Sequence, residues 1–273
     1  MTDLSASPLG HPSAYGGVYD PSLLFPVDRA PLRERIGIAG ALPFFGHDVW
    51  NAYELSWLDT RGKPSIAIAT FVVPASSPCI VESKSMKLYA TAFNQTRFAS
   101  AGEVRDTIAR DLSAATRSDV AVELVGPEAF ASLSLAEPRG VCLDDLPVAV
   151  DEYQYDANLL LATSAVGRER FYTRLFRSLC PVTGQPDYGT VMISQCGVTL
   201  DRCALLRYLV SFRNEPGFHE HCVETIFIDL LRRFAPDELH VEARFTRRGG
   251  IDINPYRSTH EGARATNLRT ARQ

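Results

Sequence analysis

The sequence predicts an α+β protein with two domains in tandem, on three observations. Strand-like segments followed by helix-like ones and a further strand occur twice in the same order. Between the two occurrences lies Pro127–Asp151, rich in Glu, Pro, Ser and Asp, with Glu137-Pro138-Arg139-Gly140 as its clearest turn signal. The 273 residues, 45% hydrophobic and 22% charged, are enough for two modest cores.

The opening residues are broken by Pro8, Gly10, Pro12, Gly16, Gly17, Pro21, Pro26 and Pro31, and read as an irregular arm. Trp50–Trp57 and Ile66–Val73 are rich in β-branched, aromatic and other apolar residues. Asp59-Thr60-Arg61-Gly62 between them is turn chemistry, so the three make a hairpin. A helix is expected after the basic stretch Lys84–Lys87. A second starts near Ser100, whose spacing to Glu103 fits a capping box, with Val104, Ile108 and Leu112 on one face. Asp119–Gly126, with Val120, Val122 and Leu124 alternating, returns to strand.

In the second half Thr190–Gln195 reads as strand and Asp201–Val210 as helix. Cys222–Phe234 carries Val223, Ile226, Phe227, Leu230 and Leu231 at helical spacing before Pro236, and Leu239–Phe245 is again strand. Tyr89 and Phe93 stand four apart, as do Tyr208 and Phe212, which together with the order of elements implies a diverged internal repeat.

A net charge of −4 and a pI near 5.9 argue against a surface wholly devoted to gripping nucleic acid. After residue 240, seven arginines stand against three acids, a patch suited to phosphate; Arg264–Arg272 within it reads as a solvated terminal segment. Six cysteines without a CxxC pair read as reduced thiols. No apolar run approaches a membrane span and the N-terminus lacks a signal-peptide pattern, so the expected compartment is the cytoplasm.

Four segments bear on chemistry. In Cys180-Pro181-Val182-Thr183-Gly184-Gln185-Pro186-Asp187 a thiol and a carboxylate flank a proline-stiffened loop, which is either a plain turn or a nucleophile with its proton donor. Glu82-Ser83-Lys84-Ser85-Met86-Lys87-Leu88-Tyr89 sits at a strand-to-helix junction, either a charged helix start or a place where free backbone N–H groups and ammonium groups take an anion. Phe218-His219-Glu220-His221-Cys222 opens the long helix. Its Glu220 either complements the helix dipole or accepts two N–H bonds from a purine-like edge. Thr246-Arg247-Arg248-Gly249-Gly250 is a basic turn or a phosphate clamp. No GxGxxG follows a strand, so a Rossmann site is not supported.

Taken together and in order, these segments resemble the QueF family, the NADPH-dependent 7-cyano-7-deazaguanine reductases. Glu82–Tyr89 looks like the family signature. Cys180 with Gln185-Pro186-Asp187, Phe218-His219-Glu220, and Arg247-Arg248-Gly249-Gly250 through Asp252-Ile253-Asn254-Pro255 match the rest, from about Phe25 to the end. With the signature in the first half and the cysteine in the second, the chain resembles the long, two-module form. That implies two tandem tunnelling-fold (T-fold) domains, antiparallel sheets each backed by helices, in a homodimer. The boundaries are then an arm at 1–46, a first module at 47–135, a linker at 136–160 and a second module at 161–273.

The resemblance further implies a nitrile reductase of queuosine biosynthesis, a tRNA-modification pathway, with no membrane and no direct nucleic-acid binding. Cys180 adds to the nitrile carbon to give a covalent thioimide and Asp187 protonates the nitrogen. Two NADPH then carry the substrate to 7-aminomethyl-7-deazaguanine. Val81, Glu82, Ser83, Phe218, His219 and Glu220 are the implied substrate contacts; Ser83, Lys84, Arg248 and Gly249 are the implied NADPH contacts; no metal is implied. Two rivals stand beside this reading. One is a zinc-dependent, cyclohydrolase-like T-fold enzyme using Cys180, His219, His221 and Cys222. The other is a non-enzymatic tRNA- or purine-binding module using the arginine-rich end.

Overall fold

A computed structural model describes residues 17–151 and 153–273. The first part of the predicted arm, residues 1–16, lies outside the described residues. In chain order the elements are β1 (Pro26–Asp28), α1 (Ala30–Arg35), β2 (Phe45–Leu58), β3 (Pro64–Pro74), β4 (Cys79–Val81), α2 (Ser83–Ala92), α3 (Ala101–Thr116), β5 (Ala121–Val125), β6 (Val141–Cys142), β7 (Ala162–Leu179), β8 (Pro186–Leu200), α4 (Arg202–Ser211), α5 (His219–Phe234), β9 (Glu238–Phe245) and β10 (Ile251–Ser258). They fall into two compact units. Of the described residues, the first holds 17–35, 47–134 and 247–253; the second holds 36–46, 135–151, 153–246 and 254–273.

In the first unit β2 pairs antiparallel with β3, and β3 with β5, while β1 and β4 form a separate antiparallel pair. Alternation puts Ala67, Ala69, Phe71 and Val73 of β3 inward, against Tyr89 and Phe93 of the α2 segment and Val104, Ile108 and Leu112 of α3. Helix α3 begins at the expected capping box: the Ser100 hydroxyl accepts from the Glu103 amide and the Glu103 carboxylate accepts from the Ala99 amide.

In the second unit β7, β8, β9 and the C-terminal part of β10 are successive antiparallel neighbours, and short β6 adds in parallel at the β7 edge. Phe171, Val191, Ile193, Val241 and Ala243 supply the buried side of the sheet, and α5 buries Val223, Ile226 and Phe227. The mixed α+β class and the antiparallel sheets thus agree with the sequence reading.

The internal repeat is deeper than two aromatic pairs. In the first unit the Tyr19 and Tyr89 hydroxyls both donate to Asp111 Oδ2 at 2.6 and 2.7 Å. In the second unit the Tyr155 and Tyr208 hydroxyls both donate to Asp229 Oδ2. Tyr19 and Tyr89 lie 6.3 Å apart at 63°, and Tyr155 and Tyr208 repeat both values. Asp20 caps the turn Pro21–Leu23 as Asp156 caps Ala157–Leu159, so the end of the arm is itself a duplicated element.

Three expectations are corrected. The Lys84–Lys87 stretch does not precede a helix but forms its first turn, because Glu82 caps α2. The strand read at Thr190–Gln195 runs from Pro186 to Leu200. The terminal segment Arg264–Arg272 is tied down rather than solvated: the Leu268 carbonyl accepts from Arg244 Nε at 2.7 Å, the Arg269 carbonyl accepts from the Ala136 amide, and Arg272 Nη1 donates to the Arg174 carbonyl. The guanidinium of Arg244, 2% exposed, needs those acceptors once buried.

Candidate active site

Strand β7 ends at Leu179, and Cys180 opens the connection to β8. The Cys180 amide donates to the Gln185 carbonyl at 2.8 Å and the Gly184 amide to the Cys180 carbonyl at 3.0 Å. Gly184, at φ +67°, makes the left-handed turn that the closure requires. Asp187 is the second residue of β8 and pairs with Ser178, so the carboxylate stands on a strand, two pairs along from the turn that carries the thiol. Cys180 and Asp187 are each 4% exposed.

Glu215-Pro216-Gly217 clasps the end of β7: the Leu179 amide donates to the Glu215 carbonyl at 2.9 Å and the Gly217 amide to the Leu179 carbonyl at 3.0 Å. This fixes where α5 starts. The residue before it, Phe218 at the N-cap, supplies no side-chain cap, and Glu220 stands in the first turn, favourable for the dipole. His219 Nε2 lies 3.5 Å from Asp187 Oδ2. The imidazole stacks on Phe245, the last residue of β9, with centroids 3.6 Å apart. Phe245 reaches that position because its cross-strand partner is Gly189; a Cβ there would lie 3.2 Å from the ring.

Cys222 is fully buried one turn into α5. Burial pushes its thiol up to about 12, with Asp187, Glu215 and Glu220 adding to the rise and a Ser178 hydrogen bond opposing it. Cys222 is therefore held as a neutral thiol among carboxylates. Glu215 is also raised, by burial. The second unit thus brings Cys180, Asp187, His219 and Glu220 to one end of the β7–β8 hairpin and the start of α5, with Phe218 at the junction.

In the first unit Val81 closes β4 and Glu82 caps α2. Its Oε1 accepts from the Lys84 amide at 2.7 Å and its Oε2 from the Ser85 amide at 2.8 Å. This corrects the expectation of free helix N–H groups: the carboxylate occupies them, and an anion at this corner must be met by side chains. Arg248 and Ile251 bracket a tight reversal with Gly249 at φ +60° and Gly250 at φ +78°, which suits a two-residue hairpin turn. Arg247 lies over the Tyr53 ring, and the Tyr53 hydroxyl and the Asn51 amide both donate to Asp252. A Cβ on Gly249 would lie 3.0 Å from Lys87 Cδ, so the turn packs on the Lys87 stem. Lys87 stands against the glycine turn that Arg247 and Arg248 precede, and Lys84 lies three residues before it on α2, a set of cations whose chemistry fits a phosphate-bearing cofactor. Phe245, Gly189 and Tyr53 took no part in the sequence reading of the site, since only the fold brings them to it.

The zinc reading fails on geometry. Among the described residues the cluster of three or more potential ligands is Glu238, His240 and His260; Cys180, His219, His221 and Cys222 form no such group.

The family model described as nitrile reductase, 7-cyano-7-deazaguanine-reductase N-term, matches residues 15–124, and that described as QueF-like protein matches 186–264. Proteins named NADPH-dependent 7-cyano-7-deazaguanine reductase from Burkholderia vietnamiensis and Burkholderia multivorans are each 54% identical over 269 residues, 98% of both chains. One of the same name from Paraburkholderia phymatum is 55% identical over 269 residues, with the same coverage. With both family models matched in order and relatives aligned over nearly its whole length, the chain belongs to the QueF family.

Proposed function

We propose that the chain is an NADPH-dependent nitrile reductase that converts 7-cyano-7-deazaguanine to 7-aminomethyl-7-deazaguanine in queuosine biosynthesis. The observation that carries the reading is the closed end of the β7–β8 hairpin, where Cys180, Asp187 and His219 are held by short backbone and side-chain contacts in the order the family motifs require. Each role below is an assignment made on that basis.

Cys180 forms the C–S bond as the nitrile π pair moves to nitrogen. Asp187 delivers a proton to that nitrogen and is restored by the proton lost from the thiol, so the addition to a thioimide consumes none. NADPH, when bound, would supply one hydride to each of two reductions: after the first, the C–S bond breaks to return Cys180 as thiolate and leave an imine, and the second, with two protons taken up overall, gives the aminomethyl group and restores the thiol. His219, stacked on Phe245, keeps Asp187 oriented and bounds the substrate side of the carboxylate. Glu220 accepts from the N–H groups of the heterocycle, and Phe218 covers it. Val81, Glu82 and Ser83 are assigned further contacts with the heterocycle. Ser83, Lys84, Arg248 and Gly249 are assigned to NADPH, with Lys84 and Arg248 meeting its phosphates.

Tandem T-fold modules are assigned to 47–135 and 161–273, with an arm before and a linker at 136–160. The assembly is a homodimer and the compartment the cytoplasm. Among the described residues no helix is long and apolar enough to cross a membrane.

The direct experiment is mass spectrometry of the protein mixed with 7-cyano-7-deazaguanine without NADPH. A substrate-mass adduct on the Cys180 peptide, lost in Cys180→Ala, is expected; ligand that binds without an adduct overturns the mechanism. Asp187→Asn should keep affinity and slow adduct formation by about a hundredfold. An unchanged rate removes Asp187 from the acid role.

A further inference from the structure

The second unit holds a cavity of about 290 Å³, away from Cys180, on the sheet face opposite its helices. Two cross-strand rows make its floor: Arg170, Ser194 and His240, then Met192, Glu242 and Tyr256. Thr266 of the pinned C-terminal segment and Arg139 complete the wall. Arg139 is brought there by a close approach: Gly140, at φ +125°, lies against the Arg170 backbone, and a Cβ would stand 2.5 Å from the Arg170 carbonyl oxygen. Only glycine permits that seam.

The chemistry of the cavity has two ends. At its mouth, the exposed guanidinium groups of Arg139 and Arg170 have no ion-pair partner among the described residues. Arg168 beside them is already held by both oxygens of Glu238. That engagement also argues against a cation on the neighbouring Glu238, His240 and His260, because the carboxylate a metal would need is spent on a guanidinium. At the inner end stands Glu242, with 13% of its side chain exposed. Its Oε1 has no hydrogen-bond partner, and the nearest cation, Arg244 Nη1, is 3.6 Å away, outside hydrogen-bond range. Burial raises this carboxyl despite Arg244. A buried carboxyl oxygen without a donor is a costly feature that a bound N–H or O–H group would relieve.

We propose that this cavity is a second small-molecule site, taking a phosphomonoester whose phosphate is held by Arg139 and Arg170 and whose N–H or O–H group donates to Glu242. Its volume is at the small end for organic ligands and fits a mononucleotide-sized compound better than a dinucleotide cofactor. Two guanidinium groups lining one cavity match a phosphate dianion in charge, and the carboxyl selects for a ligand with a donor at the far end.

The test is isothermal titration of the full-length protein at low salt with inorganic phosphate, ribose 5-phosphate, guanosine and guanosine 5′-monophosphate. At least one of the two phosphomonoesters should bind with one site per chain, and more tightly than inorganic phosphate or guanosine. Arg139→Ala and Arg170→Ala, both exposed positions, should each weaken that binding about tenfold. Glu242→Gln should weaken the phosphomonoester and leave inorganic phosphate unchanged, and Glu220→Gln and Cys180→Ala should leave all four titrations as they were. No phosphomonoester binding, binding indifferent to both arginine substitutions, binding lost with Glu220→Gln, or equal binding of guanosine and its monophosphate overturns the proposal.

Discussion

The imidazole of His219 lies flat on the ring of Phe245, 3.6 Å between centroids and 5° from parallel. The stack leaves the ring edge, with Nε2, directed at Asp187 3.5 Å away. Phe245 thus acts on the carboxylate through His219, as a positioning residue.

Phe245→Leu keeps the site apolar but removes the flat surface. The fold should lose about 1–2 kcal/mol, the usual range for losing an aromatic contact and some volume. kcat should fall about tenfold while KM for NADPH stays constant. A variant that loses stability alone would reduce Phe245 to core packing; steady-state kinetics with a urea melt separates the two.

Cys222 gives a pH prediction with a definite sign. Burial pushes its thiol up to about 12 from an ordinary value of 9.0. Below about pH 9 the folded and unfolded chains both keep this proton, so the stability linked to it is fully present. As pH rises from 9 toward 12 the unfolded chain releases the proton and the folded one does not. The group then withdraws about 1.4 kcal/mol of stability per pH unit. Stability measured by denaturant melts should fall less steeply with pH across that window in Cys222→Ala than in the parent, by this amount per unit. At pH 8 the native Cys222 peptide should escape iodoacetamide that labels the unfolded chain, which peptide mass mapping reads directly.

The paired tyrosines on Asp229 predict non-additivity. Burial raises this carboxyl, and the two hydroxyls that donate to it act in the opposite sense. Tyr155→Phe and Tyr208→Phe should each cost about 1–3 kcal/mol, as for a lost hydrogen bond to a charged group. The double variant should depart from the sum by more than about 0.5 kcal/mol, since both bonds end on one oxygen. Urea melts of the three variants would show strict additivity if the tyrosines were independent.

Where the chain reports its own local physics, the sequence was readable. Ser100 with Glu103, the alternation of β3 and the aromatic spacing of Tyr89 and Phe93 each depend on neighbours a few residues away, and each element was found. Strand β7 was missed because Ala162–Val166 is exposed throughout and the alternation of its second half is broken by a register shift between Thr173 and Phe176, which leaves Leu175 and Phe176 adjacent in sequence. Strand β10 was missed because Pro255 sits inside it and the segment reads as a motif. At the candidate site, Pro181, Gly184 and Pro186 announced the turn after Cys180. The stack of His219 on Phe245 joins residues 26 positions apart and has no local signature. The role of Gly189 is legible only once its cross-strand partner is known.

The last prediction concerns Arg257 of β10 and Glu224 of α5, both essentially without solvent. Arg257 Nε and Nη2 donate to Glu224 Oε1 at 3.1 and 2.8 Å, Nη1 donates to the Tyr256 carbonyl, and the guanidinium lies 5.4 Å from the Phe44 ring centre. Both groups have lost hydration, and each answers for the charge of the other. Glu224→Leu should therefore cost about 3–5 kcal/mol by stranding a buried guanidinium, and Arg257→Met a similar amount by stranding the carboxylate. The double variant Glu224→Leu/Arg257→Met, which leaves no charge to compensate, should recover most of that loss in a urea melt. If it is instead destabilised by the sum of the two, the pair holds sheet to helix by net attraction and not by mutual neutralisation.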